Sequence, residues 1–251
     1  MPSSDYTDFT LYSYWRSSSS YRVRVALSLC SLTPSLSSSS STTYKYVPVH
    51  LVKAEQKASQ YTTTQNGLAQ VPTLTCKDSS GELHTITQSL AIIQFLVSAF
   101  GLDILPPSPP HLLAAIWQFS EVINSGTQPL QNFTPMKMIK ESEFGTGRDF
   151  GKHFIVKGLD YLEELAGKST GKLVHNDEVT MSELCLIPQL YNARRFGVEV
   201  EKDYPRLFAV EAECLKMKCF VEAGPDKMPD AQEPPPPAKA EKRAGEGGGE
   251  E

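Results

Sequence analysis

The chain has 251 residues, a formal net charge of -5 and 40% apolar residues, which is ordinary for a soluble globular protein. The acidic balance argues against nucleic acid or an acidic membrane surface as the main partner. No apolar run approaches the roughly 20 residues that span a membrane. The N-terminus also lacks the basic start and apolar core of a secretory signal. We therefore expect an intracellular protein, cytoplasmic, with a mitochondrial location left open.

The five cysteines show neither a redox motif nor a metal site. They form no C-x-x-C pair, and no histidine lies at metal-ligand spacing from them. Their odd number and irregular spacing are typical of reduced thiols that pack in the interior. We predict structural roles and no bound metal, with Cys214 and Cys219 as the thiols to examine for exposure and oxidation.

The first half of the chain alternates strand and helix patterns. The predicted elements are a strand at 9–14, a helix at 20–32, strands at 44–51, 71–76 and 83–87, and a helix from residue 89. Residues 31–43 are rich in serine and threonine and predict a solvated loop. The order β, α, β, then β-β-α, with a proline opening a strand, indicates a thioredoxin-like domain.

The second half is predicted to be helical. Residues 105–110 hold four prolines and predict a linker. Beyond it, apolar residues recur at helical spacing, as at Leu112, Ile116, Phe119 and Ile123. Thr180 and Glu183 form a capping-box pattern. The predicted units are a flexible N-terminus at 1–8, a thioredoxin-like domain at 9–104, the linker, a helical bundle at 111–225 and a disordered tail at 226–251.

The most informative segment covers residues 12–27 and reads YSYWRSSSSYRVRVAL. A short alternating stretch leads into four serines, and an amphipathic helix follows. Serine hydroxyls and unpaired backbone N–H groups at a helix start converge on one spot, where the helix dipole adds partial positive charge. That spot suits an anion, including a thiolate. The local sequence by itself also fits an ordinary helix cap.

Further motifs follow the serines in order. They are VPTL at 71–74, QSLAII at 88–93, QPLQN at 128–132, VTMSELCLIPQ at 179–189 and NARRFGV at 192–198. Together these segments resemble the zeta class of glutathione transferases, the maleylacetoacetate isomerases, over about residues 9–229. The resemblance implies a thioredoxin-like α/β domain joined to an all-α bundle, which is the glutathione transferase fold. It also implies glutathione as cofactor and a homodimer.

The serines match the family's S-S-C-S positions, so Ser19 stands where the family usually has cysteine. The resemblance implies that Ser17 donates a hydrogen bond to the sulfur of glutathione and that Ser18 supports the charge. Ser19 keeps a hydroxyl donor but cannot become a thiolate near neutral pH. Tyr12 or Tyr14 could compete for the sulfur, although their alternating placement in a strand favours core packing for at least one of them.

Other residues are implied to hold the tripeptide. A cis bond between Val71 and Pro72 would turn the Val71 backbone toward an extended peptide. Gln88 and Ser89 lie at a strand-to-helix junction, whose free N–H groups can receive the γ-glutamyl carboxylate. Three more polar residues occupy family positions at the glutathione site or the cleft: Gln56, Gln128 and Asn132.

The implied substrate is a dianionic diketo acid, so the site needs cations. Arg195 lies at the family position for a substrate carboxylate, which a guanidinium can hold bidentately. Arg16 is a second candidate for the same task. We expect Arg194 to face solvent or an ion pair, and Arg22 and Arg24 to be structural helix charges.

The resemblance implies the glutathione-dependent isomerisation of maleylacetoacetate to fumarylacetoacetate, in tyrosine and phenylalanine breakdown. The sulfur would add to the cis double bond, which then rotates as a single bond before glutathione leaves. Two alternatives remain at this stage. One is a transferase that consumes glutathione on small α-halo acids, and the other is a non-catalytic glutathione-binding or interaction protein.

Overall fold

Five strands form one mixed sheet in the computed structural model, which describes residues 5–37, 40–139 and 145–231. The strands are β1 (Thr7–Ser13), β2 (Thr33–Ser35), β3 (Thr43–Pro48), β4 (Thr73–Lys77) and β5 (Leu83–Thr87). Their order across the sheet is β2-β3-β1-β4-β5. The β1–β3 and β2–β3 pairs are parallel, whereas β1–β4 and β4–β5 are antiparallel. The central strand β1 therefore delivers the chain to the helix that follows it.

Ten α-helices accompany this sheet in the described chain. They are α1 (Ser18–Leu29), α2 (Ser59–Thr64), α3 (Ser89–Phe100), α4 (Pro110–Asn124), α5 (Phe133–Met138), α6 (Gly147–Gly167), α7 (Met181–Arg195), α8 (Val200–Asp203), α9 (Pro205–Cys214) and α10 (Lys218–Glu222). Helix α1 packs against both α3 and α7, so it lies between the sheet domain and the helical half. The predicted fold, a thioredoxin-like domain with an all-α bundle, is confirmed. None of the described helices is long and apolar enough to traverse a bilayer.

The local sequence explains the buried face of α4 and the capped start of α7. Ile116, Phe119 and Ile123 are fully buried, as their helical spacing predicts. The capping box before α7 is also confirmed, because the Glu183 carboxylate accepts the backbone N–H of Thr180 at 2.7 Å. Glu183 is fully buried, and this burial raises the pKa of its carboxyl group.

The prediction of a loop over the whole serine-rich stretch at 31–43 is wrong. Thr33–Ser35 forms the edge strand β2 inside the predicted loop at 31–43, and Thr33 lies opposite Thr43. Edge pairing needs only an extended backbone, so composition gave no sign of it. Helix α1 ends at Leu29, before the predicted residue 32, because Ser31 adopts a left-handed φ of 63°.

Both predicted flexible ends contain packed residues. The ring of Tyr6 lies 4.9 Å from that of Phe95, and β1 already begins at Thr7, inside the segment 1–8. At the other end, Met228 is buried within the segment that was predicted to be disordered from residue 226. Apolar and polar anchors hold residues 226–231 against the sheet domain, whereas the rest of that predicted tail lies outside the described residues.

The C-terminal segment braces the loop between β1 and α1. Asp230 accepts the hydroxyl of Tyr46 at 2.6 Å and the backbone N–H of Trp15 at 3.2 Å. The fully buried guanidinium of Arg24 donates to the carbonyl oxygens of Ala223 at 2.9 Å and Trp15 at 3.3 Å. The backbone N–H of Trp15 in this loop is thus bonded to a residue 215 positions away in sequence.

We expect Asp230→Ala to lower the free energy of unfolding by about 1–3 kcal/mol, because it leaves the buried Tyr46 hydroxyl without its acceptor. Urea denaturation measures this change. Asp226→Ala is the matched control, since that side chain is 78% exposed and lies 3.7 Å from Lys227; we expect a change within about 0.5 kcal/mol. Equal changes in the free energy of unfolding for the two variants would contradict the stabilising role of Asp230.

Candidate active site

The start of α1 forms an anion-binding corner at the end of β1. Ser17 is the N-cap, and its Oγ accepts the backbone N–H of Ser20 at 3.2 Å. Because this bond uses an oxygen lone pair, the Ser17 hydroxyl hydrogen is free to be donated elsewhere. The first turn of α1 carries no acidic residue, so no carboxylate of that turn competes for the corner.

A cavity of about 650 Å³ opens beside Ser17. The predicted residues that line it are Ser17, Ser19, Gln56, Val71, Pro72, Gln88, Ser89, Gln128 and Asn132. The sheet domain and the helical half both contribute walls. The volume lies within the roughly 300–1,000 Å³ that is usual for small-molecule sites. The bond between Val71 and Pro72 is cis, as predicted.

The start of α3 supplies a second set of open backbone donors. Gln88, the residue before the helix, has φ 69° and ψ 120°, and its side chain makes no capping bond. A non-glycine residue in this region carries strain of about 1–3 kcal/mol, which is typical of functional sites. The Oγ of Ser89 accepts a hydrogen bond from Arg22 at 3.2 Å. The first N–H groups of α3 therefore have no side-chain cap at the cavity wall.

One buried polar atom in this cavity suggests what it binds. Gln56 lies in a short 3-10 helix, and its Oε1 is buried without a hydrogen-bond partner in the described chain. A peptide N–H placed there would satisfy this oxygen. Two helix starts for anions, a free serine hydroxyl and an unmet amide oxygen together match the donors and acceptors of glutathione, which is an extended acidic tripeptide.

A smaller cavity of about 230 Å³ adjoins the first and shares Ser17, Gln128 and Asn132 with it. Ser18 also lines it. Its remaining polar lining is dominated by cations and their neighbours, namely Tyr14, Arg16, Arg148, Asn192 and Arg195. Every predicted site residue therefore lines one of the two cavities, and Ser17 lies where they meet.

The three guanidinium groups of the smaller cavity are held by neutral neighbours. Arg195 donates to the side-chain oxygen of Asn192 at 2.9 Å, and burial lowers its pKa. Arg148 donates to the backbone oxygen of Arg195. Arg16 lies 4.3 Å from the ring centre of Trp15. No carboxylate of the described chain lies within ion-pair distance of these three groups, so they can bind a carboxylate ligand.

The neighbouring arginines have other partners. Arg194 forms ion pairs with Glu201 and Glu211, as expected. Arg22 and Arg24, which we expected to be structural helix charges, are both fully buried. Arg24 bonds mainly to backbone carbonyl oxygens, whereas Arg22 contacts residues at the larger cavity.

The alternative tyrosines occupy different places. Tyr12 lines neither cavity described here and packs with its ring centre 6.0 Å from that of Tyr61. Tyr14 lines the smaller cavity next to Ser17. Burial raises the pKa of both hydroxyl groups, so both stay protonated near neutral pH. Tyr14 therefore adds a hydrogen-bond donor to the cationic cavity.

The cysteines line neither cavity. All five are free, four are buried and Cys219 is half-buried. Cys214, which we singled out for possible exposure, is the last residue of α9 and is fully buried, and burial raises its pKa. In the described ranges, no group of three or more His, Cys, Asp or Glu side chains is arranged to hold a metal ion.

Several cavity residues escaped the sequence analysis, among them the polar residues Arg148 and Asn124. Arg148 lies in the first turn of α6 and Asn124 ends α4, and neither belongs to a motif that we recognised. Only the packing of α6 against the segment around Arg195 brings Arg148 to the site. A basic residue just after a helix cap was the single available signal, and it is too common to be informative.

Known proteins of one family are similar to this chain over most of its length. The N-terminal domain of glutathione S-transferases matches residues 7–98. Maleylacetoacetate isomerase of Mus musculus is 34% identical over 221 residues, covering 88% of this chain and 94% of the mouse protein. The crystal structure of maleylacetoacetate isomerase from Anaeromyxobacter dehalogenans 2CP-1 with bound GSH is 36% identical, has a TM-score of 0.77, and covers 92% of this chain and 100% of that one. A second structure of that enzyme, with dicarboxyethyl glutathione and citrate in its active site, is 37% identical with a TM-score of 0.76, covering 91% of this chain and 96% of that one.

The fold and the matched domain are those of the glutathione transferase class. Within this class, the chain belongs to the zeta-class maleylacetoacetate isomerase family, because the relatives of that name match nearly its whole length. The resemblance inferred from the serine segment and the later motifs is thereby confirmed.

We expect Arg195→Ala to raise the dissociation constant of a simple dicarboxylate, succinate, by about tenfold or more, since it removes a charged donor from the smaller cavity. Titration calorimetry measures this constant. The adjacent variant Arg194→Ala is the control: it should leave succinate binding within about twofold and lower stability instead, because the 7% exposed Glu211 loses its partner. Loss of succinate binding in both variants would contradict the assignment.

Proposed function

We propose that this protein is a glutathione-dependent maleylacetoacetate isomerase. The observation that carries this proposal is the meeting of two cavities at Ser17. One is matched to an acidic tripeptide, and the other is lined by Arg16, Arg148 and Arg195. Relatives that bear this enzyme's name, and a solved relative with GSH in its active site, support the proposal.

Bound glutathione would supply the sulfur that adds to the cis double bond and leaves after rotation about it. The task of the chain is to keep that sulfur ionised and in place. Ser17 donates its free hydroxyl hydrogen to the sulfur, and the N-terminus of α1 adds positive potential. Ser18, which is buried in the same turn, supports this geometry. The developing negative charge thus meets donors that are already oriented.

The larger cavity holds the rest of the tripeptide. The backbone of Val71, after which Pro72 turns the chain, pairs with the cysteinyl residue. Gln88 and Ser89 receive the γ-glutamyl carboxylate at the open start of α3. Polar side chains along the cavity wall complete the site: Gln56, Gln128 and Asn132.

The smaller cavity selects a substrate with two carboxylates. Arg195 and Arg16 take the roles that the sequence suggests, and Arg148 joins them from α6. Three cations without a carboxylate partner among the described residues favour a dianion over a neutral electrophile. This charge pattern also favours isomerisation of a diketo diacid over attack on a monoanionic α-halo acid, which we keep as the alternative activity of the same site.

Assembly and location are separate proposals. We propose a homodimer in the cytoplasm, on the resemblance and on the sequence pattern. Sedimentation velocity tests the dimer, and fractionation of the source cells tests the location. A non-catalytic glutathione-binding protein is the remaining alternative, and it predicts a bound thiol whose pKa is unchanged.

The direct test is an assay of the purified protein with maleylacetoacetate. We expect fumarylacetoacetate to form only when glutathione is present, and glutathione to be recovered unchanged, because the sulfur leaves again. Chromatographic measurement of glutathione and of both isomers follows the reaction. Consumption of glutathione on chloroacetate or a similar acid, without isomerisation, would instead support the transferase alternative.

Ser19→Cys belongs in the same assay. Because Ser17 and the helix start act on the sulfur, we expect the variant to change the rate only modestly, by less than about tenfold. A change from inactive to fully active would show that the wild-type chain has lost its chemistry and that the binding-protein alternative is correct.

We expect Ser17→Ala to raise the pKa of the bound glutathione thiol by about one unit or more, since the sulfur loses a hydrogen-bond donor. The thiolate absorbance, titrated against pH, measures this pKa. Loss of the helix cap alone would lower stability without changing the pKa of the bound thiol. Ser17→Thr keeps the hydroxyl donor, so it should restore that pKa. Ser28→Ala, at the other end of α1, is the matched control. An unshifted pKa in Ser17→Ala would exclude the proposed role.

A further inference from the structure

Arg22 is a buried cation whose hydrogen bonds all go to the larger cavity. Its side chain is fully buried in α1. Nη1 donates to the Oγ of Ser89 at 3.2 Å and to the Oδ1 of Asn124 at 2.9 Å, and both residues line that cavity. Nε and Nη2 have no partner in the described chain.

This arrangement leaves a positive charge without a matching negative one. No described carboxylate lies within ion-pair distance of Arg22; the carboxylate of Glu121 accepts a hydrogen bond from Asn124 at 3.5 Å instead. Guanidinium groups stay protonated in proteins, so the charge cannot be removed by deprotonation. A buried charge that meets only neutral oxygens destabilises the free protein. An anion bound near Arg22 would offset this destabilisation.

The bond to Ser89 also orients the hydroxyl group. Because the Ser89 oxygen accepts a hydrogen bond from Arg22, its own hydrogen is directed to another acceptor. Ser89 lines the larger cavity at the uncapped start of α3, so a ligand bound there can accept this hydrogen. The charge of Arg22 polarises this hydroxyl and makes it a stronger donor.

We propose that Arg22 is a positioning residue for glutathione, which acts through Ser89 and Asn124 to hold the γ-glutamyl carboxylate. The inference rests on the proposed function and extends it, because it adds a group that never touches the ligand. Arg24, two residues along the same helix, is bonded to the β1–α1 loop and to Ala223 instead. The two buried arginines of α1 therefore have separate tasks, one on the ligand side and one on the loop.

The experiment compares two thiol ligands on Arg22→Met, which keeps the side-chain length and removes the charge. Glutathione carries the γ-glutamyl carboxylate, and the dipeptide cysteinylglycine lacks it. We expect the dissociation constant of glutathione to rise by about tenfold or more, and that of cysteinylglycine to stay within about twofold. Arg206→Met is the matched control, since Arg206 bonds to carbonyl oxygens of the loop at 171–173, away from both cavities.

Each outcome decides the proposal. Equal weakening of both ligands would mean that Arg22 only supports the fold, and unchanged binding of both would mean that it has no role; either result overturns the inference. Arg22→Lys, which keeps the charge, should retain most of the preference for glutathione. If Arg22→Met does not fold, Arg22→Gln gives the same comparison with a neutral side chain. Failure of the wild-type protein to bind glutathione would instead overturn the proposed function.

Discussion

The site depends on one constraint, which is that α1 begins at the end of the central strand with a serine cap and no acidic residue in its first turn. A helix start is an anion site only if its N–H groups and its potential are left for the ligand. Ser17 satisfies one N–H with its oxygen and keeps its hydrogen for the ligand. An aspartate cap would stabilise the helix equally well and would repel the sulfur.

The surrounding structure keeps this corner rigid. Arg24 bonds to the backbone before the serines, and Asp230 holds the N–H of Trp15 from the C-terminal segment. Such contacts fix the direction of the loop without occupying the cavity. A hydrogen bond to sulfur stabilises a thiolate only over a narrow range of geometry, so rigidity of the loop is part of the chemistry.

Charge is distributed in an unusual way for an acidic chain. The net charge is -5, yet the guanidinium groups around the cavities have no carboxylate partner among the described residues. Arg194 forms two ion pairs one residue away from Arg195, which forms none with the residues that the structure describes. Unpaired cations raise the free energy of the protein without ligand and favour binding of acids, as expected of a functional site.

The predictions that the structure confirms are those that depend on residues close together in the sequence. The capping box at Thr180, the buried stripe of α4 and the order of strands and helices follow from side-chain chemistry over a few residues. The strand β2 escaped because edge pairing depends on the backbone of a neighbour. Arg148 and the packing of Asp230 escaped because their partners are distant in sequence.

The sequence by itself therefore determined the two-domain fold and the family, and it marked the serines and polar residues that line the larger cavity. Only the tertiary structure decided which charges are paired. Arg22, Arg24, Arg194 and Arg195 are the same residue type in the sequence. Packing alone pairs Arg194 with two carboxylates and Arg24 with carbonyl oxygens, and it places Arg22 and Arg195 at the cavities. The reason is physical: the free energy of a buried charge is set by the groups within a few ångströms of it, and those groups come from any part of the chain.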